Sequence, residues 1–135
     1  MNKNKTPNVD EIEATAKKSG RTVHYEQDLL FDLLDLPIPS EEEAPEIIKE
    51  LSGERVFLSS AIPLSYDQKH RIGKQFMRIT GRTIRSFTTI LDPSLLIGVR
   101  IQSERFYYEL SGQQILSSMV NQINLADHEE VIQNV

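Results

Sequence analysis

Asp92-Pro93-Ser94 sets a carboxylate two residues from a hydroxyl, an arrangement that hydrolytic chemistry can use. A serine becomes a nucleophile only with a base within hydrogen-bond reach. The histidines are His24, His70 and His128, scattered along the chain with no carboxylate at a metal-ligand spacing. Gly98 stands alone, without the glycine-rich loop and lysine that cradle phosphate. The triplet therefore reads as turn chemistry, with proline presetting φ for a reversal. No base–nucleophile pair and no metal set emerges, so no catalytic residue, no metal and no cofactor is expected, and an enzyme is the weakest class.

Composition narrows the remaining classes. At 135 residues there is room for one domain with an extra arm. Cysteine is absent, which removes disulfide and thiolate chemistry. No apolar run is long enough for a membrane span, and no hydrophobic signal core stands at the N-terminus. The net charge of −5 is unevenly spread. Residues 26–54 carry ten acids, from Glu26 to Glu54, against Lys49 alone, whereas residues 55–105 carry nine bases against Asp67, Asp92 and Glu104. An acidic arm followed by a basic body predicts docking in cis, or two differently charged partners, or simply two solvated faces. The bases lie in an acidic chain with no nucleic-acid motif, so protein rather than nucleic acid is the expected partner.

The elements that would position these residues follow from periodicity. Residues 1–20 are polar without sustained period and read as a disordered N-terminus. Residues 21–52 read as an acidic helical arm. In it Leu29, Leu30, Phe31, Leu33 and Leu34 form an apolar stripe that Pro37 and Pro39 terminate. That stripe is either a docking helix for a partner's groove or a satellite of the core. Ser40 with Glu43 reads as the capping box of a second short helix, stopped by Ser52-Gly53.

A body over residues 53–126 is expected to close on itself. Its first strand, RVFLSSAI, is apolar or small almost throughout, as a strand buried on both faces would be. Ser65 and Gln68 read as a capping box, Ile72, Phe76 and Ile79 as one helix face, and Gly81 as a left-handed C-cap. A strand over Arg82–Leu91, the Asp92-Pro93-Ser94 turn and alternation from Leu95 through Ile97 to Ile101 read as a hairpin. RFYYE returns as a last strand. Ser111 caps a final helix with a stripe of Ile115, Leu116, Met119, Val120 and Ile123, and residues 127–135 form an acidic tail. The fold class is α+β: a small mixed sheet of about four strands, two helices on one side, and the arm ahead of it.

Within the body, three stretches carry a resemblance. VFLSSAIPLSYDQ, GRTIRSFTTILDPSLLIGVRI and YELSGQQI resemble the C-terminal domain of the delta subunit of F-type ATP synthases, the oligomycin-sensitivity-conferring protein family. The matching motif residues include Ser65, Gln68, Gly81, Asp92, Pro93, Ser94, Gly98 and Ser111. Ile97-Gly98 stands where the family tends to have two glycines, and Glu109-Leu110 where it has Asp-Gly. The resemblance implies a non-catalytic peripheral-stalk subunit, or stator. Its expected partners are the b-type stalk subunits and the alpha subunits of the head, in ATP synthesis coupled to proton or ion transport. It implies membrane association through the complex only, on the side bearing the head: the cytoplasmic face in a bacterium, the matrix or stroma in an organelle. The family's usual six-helix N-terminal domain does not fit in the roughly fifty residues ahead of the body. A free-standing adaptor that shares the domain is the alternative.

Overall fold

The computed structural model describes residues 8–96 and 98–110. The sequence-stretch over residues 54–60 dictates the centre of the fold. As β2 (Glu54–Ser60), it is buried at all positions but Arg55. A strand so covered must have neighbours on both edges and layers on both faces. Its edges pair in parallel with β3 (Ile84–Leu91) and antiparallel with β4 (Val99–Gln102). β1 (Thr22–Tyr25) adds outside β3, and β5 (Tyr107–Leu110) adds outside β4, both antiparallel. The sheet is mixed and five-stranded, in the order β1-β3-β2-β4-β5. The α+β class holds, and the fifth strand comes from the stretch expected to be arm.

Period two divides β2 between the faces. Val56 and Leu58 share one face with Phe87, Val99 and Ile101, and this face is covered by α2 (Gln27–Leu33) and α4 (Tyr66–Thr80). Phe57 and Ile90 lie on the other, under α1 (Val9–Lys18). Two helices do share one face, but the second is α2 from the arm. The final helix read from Ser111, the stripe from Ile115 and the tail over 127–135 lie outside the described residues, as does Ile97.

Two expectations are corrected here. Residues 1–20 are not all disordered, because residues 9–18 are helical. Asn8 caps α1 by accepting from the Asp10 backbone N–H, acids fill its first turn and lysines its last, complementing the helix dipole. Its end is a Schellman turn: Gly20 (φ 81°) donates to Lys17 and Arg21 donates to Ala16. Of the two readings of the stripe at residues 29–34, the core satellite is the one the structure shows, and the candidate partner interface is the one it corrects. Leu29, Leu30, Phe31 and Leu33 are at most 1% exposed within the chain itself, and Leu34 packs half-buried beside them. A stripe worth about 1.5–3 kcal/mol per side chain finds its cover in cis. α2 ends in a second Schellman turn, with Leu36 donating to Phe31 and Asp35 donating to Asp32. Asp35 takes the left-handed position (φ 59°) that glycine usually holds, so the turn, not Pro37, stops the helix.

Ser40 begins less than expected. Its hydroxyl accepts from the Glu43 N–H at 3.3 Å, but residues 41–43 form a turn and α3 (Ala44–Glu50) starts after them. Gly53 shows why β2 and β3 meet where they do. At φ 128°, a Cβ there would lie 2.4 Å from the Thr83 carbonyl oxygen. Gly53→Ala is expected to lower the melting temperature by several degrees, since backbone must move at the start of the central pair. An unchanged melting temperature would show that this approach is not constrained.

Candidate protein-binding surface

The described motif residues fall at the two ends of α4 and at one end of the sheet, and Ser111 lies outside the described residues. Ser65 Oγ accepts from the Gln68 N–H (3.1 Å) and the Gln68 side chain accepts from the Ser65 N–H (2.9 Å), closing the capping box at the start of α4. Gly81 ends the helix at φ 69°, donating to the Met77 carbonyl. The capping box and the Ser60 hydroxyl, which donates to the Ile62 carbonyl (2.6 Å), hold the two ends of the loop Ala61–Leu64, which runs from β2 into α4.

Asp92, Pro93 and Ser94 follow β3, but they do not turn a hairpin. β4 pairs with β2, so residues 92–98 cross the end of β2 to its far edge. β2 holds the crossing on both sides: Asp92 N–H donates to the Ser60 carbonyl (2.8 Å) and Ala61 N–H to the Gly98 carbonyl (3.4 Å). The buried Asp92 carboxylate accepts from the Ser94 hydroxyl (2.6 Å) and N–H (3.1 Å), and pairs with Arg21 (3.2 Å). The Ser94 hydroxyl thus spends its proton on Asp92, and no histidine stands beside it among these bonds. Arg21, just after α1, is a member of this cluster that sequence spacing did not reveal.

What the crossing presents is apolar. Leu95 turns in and is buried, whereas Leu96 is 99% exposed and Ile62, on the neighbouring loop, is 67% exposed. The turn's bonds reach as far as the Leu95 N–H, which donates to the Asp92 carbonyl (3.0 Å), and Leu96 follows it into water. Ile62, Pro63 and Leu96 form the candidate surface at this end of the sheet. Among the described residues Ile38 and Ile79 are the other strongly exposed aliphatics, each outside this tip, and Ile79 thus leaves the apolar face that Ile72 and Phe76 form.

The opposite end of β2 is charged. Glu54 Oε2 accepts from Arg82 (2.9 Å) and lies 3.7 Å from Arg105, with its side chain 3% exposed. Glu104, on the β4–β5 turn, accepts from the Arg55 N–H (2.8 Å) and its guanidinium (2.7 Å), and Arg85 approaches at 3.4 Å. Asp10 completes the set from α1 at 2.6 Å from Arg55. The acidic stretch also docks on the body: Glu26 meets Lys69 (2.8 Å), Lys74 donates to the Leu33 carbonyl, and Tyr66 donates to Asp32 (2.5 Å). That bond to Asp32 pushes the Tyr66 phenol up to about 12. The segregated charges therefore meet in cis at Glu26, Asp32, Asp35 and Glu54, while Glu41, Glu42, Glu43, Glu46 and Glu50 stay exposed.

Two carboxylates here make stability depend on acid. The bond from the Ser94 hydroxyl holds Asp92 below its ordinary range despite burial, with Arg21 and Arg100 adding to it. Burial pushes Glu104 up, but the bonds from Arg55 outweigh it and the net shift is down. A folded carboxylate depressed below its unfolded value stabilises above the unfolded range, about pH 4, and loses that contribution as pH falls through the folded value. The melting temperature should therefore drop below about pH 4, and Glu104→Gln should flatten that drop. An acid limb as steep in Glu104→Gln as in the unaltered chain would remove Glu104 as its source.

Among the described residues the small mixed sheet has an exposed apolar end and a charged end. The family model for the ATP synthase delta (OSCP) subunit matches residues 41–123, and the chain belongs to that family. The family is a non-catalytic stalk component of ATP synthases, peripheral to the membrane. No helix among the described residues is long and apolar enough to cross a membrane. Comparison with curated proteins and with solved structures finds no match.

Proposed function

We propose that this chain is a stator subunit linking the b-type stalk helices to the alpha subunits of the catalytic head of an F-type ATP synthase. The observation that carries the reading is the family match over residues 41–123, which spans β2, α4, β3 and β4. A stator does no chemistry. It resists the torque on the head by holding contacts whose dissociation is slow relative to turnover. Buried apolar anchors supply most of such a contact, and charged rims orient it. The tip of Ile62, Pro63 and Leu96 supplies anchors that cost the fold nothing, because they are already in water.

Co-purification tests the assignment. From detergent-solubilised membranes the chain should recover alpha and b-type subunits. Recovery of an unrelated complex with neither subunit would replace the stator with a free-standing adaptor. The paired change Ile62→Asp and Leu96→Asp should weaken association at least about tenfold, on the scale of interface anchors. Its melting temperature should barely change, as expected for exposed sites. Full association with both aspartates in place would exclude the tip as the contact.

A further inference from the structure

Two rows of opposite charge that the fold leaves toward solvent share one geometry. On α3, Glu43, Glu46 and Glu50 stand at i, i+3 and i+7, and all three are exposed. Glu43 has helical backbone angles (φ −85°, ψ −26°), so the row runs unbroken from the cap to the last residue. On α4, Arg71, Lys74 and Arg78 stand at the same i, i+3 and i+7. At about 1.5 Å per residue, each row spans about 10 Å. A solvent-open hollow of about 400 Å³ runs along the α4 row, lined by His70, Arg71, Lys74, Gln75 and Arg78.

Neither row is firmly neutralised within the chain. Among the described residues Glu43 and Glu50 make no ion pair, and Glu46 meets only Lys49, at 3.8 Å. Arg78 donates to Gln75 and meets no carboxylate among the described residues. Arg71 pairs with Asp67 (3.2 Å) and Lys74 with Asp35 (3.6 Å), but those carboxylates are 76% and 85% exposed. Pairs held in water in this way contribute little and exchange readily. The acidic segment is anchored on the α4 side of the sheet at both ends. Asp35 stands beside Lys74, and Leu51, next to Glu50, packs on the core that α4 covers.

We propose that this side of the molecule is a self-association surface, on which α3 of one copy lies antiparallel along α4 of a second copy. Glu43, Glu46 and Glu50 then stand opposite Arg78, Lys74 and Arg71. Two rows of opposite sign on one side of a chain are self-complementary about a two-fold axis, so the contact forms twice and closes as a dimer. The matched spacing sets register and orientation, which is what charge complementarity does best. A contact made mostly of exposed charge is weak and sensitive to salt. It uses neither Ile62 nor Leu96, so it stands or falls apart from the stalk assignment.

Sedimentation equilibrium on the full chain tests this. At low salt the mean mass should rise with concentration from one chain toward two. Salt at about 0.5 M should return it to one, because screening then acts within a few ångströms. Exchanging the charges identifies the faces. Glu43→Arg with Glu50→Arg in one variant, and Arg71→Glu with Arg78→Glu in another, should each remain monomeric. Mixed in equal amounts at low salt they should form a heterodimer, since every contact again joins opposite signs. Lys74 is left in place because it also donates to the Leu33 carbonyl. Each variant should keep its cooperative melt, as surface changes do; if one does not, the salt series on the unaltered chain decides alone. A chain that stays monomeric at low salt overturns the proposal and gives the α4 row to another occupant, such as the acidic tail over residues 127–135. A dimer indifferent to salt, or a mixture of the two variants that stays monomeric, overturns it as well.

Discussion

The double replacement Leu30→Ala and Leu33→Ala lowers the unfolding free energy of the isolated chain by several kcal/mol, with no partner present. Each side chain is at most 1% exposed and belongs to the main core with Leu29, Leu58, Ile72, Phe76 and Phe87. Large-to-small changes at such sites cost about 2–5 kcal/mol apiece, and neighbours three residues apart need not add. Leu33 is under special constraint, because its methyls lie where a Cβ on Gly73 of α4 would stand, at 2.7 Å. The gap left by Leu33→Ala is thus at the closest approach of α2 and α4. Against a total stability of about 5–15 kcal/mol, the pair should leave the chain close to unfolding. Denaturant midpoints measure this. A midpoint within error of the unaltered protein would mean that α2 is not core, whatever its burial.

The second large effect concerns residues 53–126 expressed alone. The sequence leads one to expect a self-contained body there. The structure gives it two exposed wounds: the face from which Leu29, Leu30 and Leu33 are removed, and the β3 edge from which β1 is removed. Three buried leucines carry about 4.5–9 kcal/mol by area, comparable to the whole stability of a small domain. The fragment should melt without a cooperative transition and bind hydrophobic dye. Adding residues 21–52 back on the same chain should restore the transition. A sharp transition in residues 53–126 alone would show that the body is autonomous.

These results mark where the sequence was readable. Ser65 with Gln68, and Gly81, involve bonds between residues four or fewer apart, so their chemistry is visible in a short window. The continuous apolar run of β2 likewise announces a centre. The N-terminal part was misread because its signals are weak singly. Asn8, the acids Asp10 and Glu11, Lys17 and Lys18, and Gly20 are a complete set of helix punctuation around only four apolar residues, two of them alanines. β1 has four residues, most of them exposed, and becomes a strand only because β3 offers an edge. The route of residues 92–98 over β2 was not legible at all. A turn of Asp-Pro-Ser looks the same whether the next strand pairs with the last one or with the one beyond it. Arg21 joined Asp92 by that same long-range topology.

The register of β1 has a consequence during synthesis. Thr22 pairs with Leu91, so the edge strand must wait for almost seventy further residues to leave the ribosome. α2 waits as well, since most of its cover comes from β3 and α4. Throughout that interval a nascent chain carries Leu29, Leu30, Phe31 and Leu33 uncovered, the composition that invites aggregation and chaperone capture. Asp28, Asp32, Asp35 and the run Glu41–Glu43 stand in and beside that stripe. Charge so placed acts as a gatekeeper on an unavoidable hydrophobic segment. On this view the acids serve the unfinished chain as much as the finished one. Neutralising Glu41, Glu42 and Glu43, which touch none of the core, should leave the melting temperature unchanged while lowering soluble yield on synthesis. An unchanged yield would dismiss the gatekeeper role.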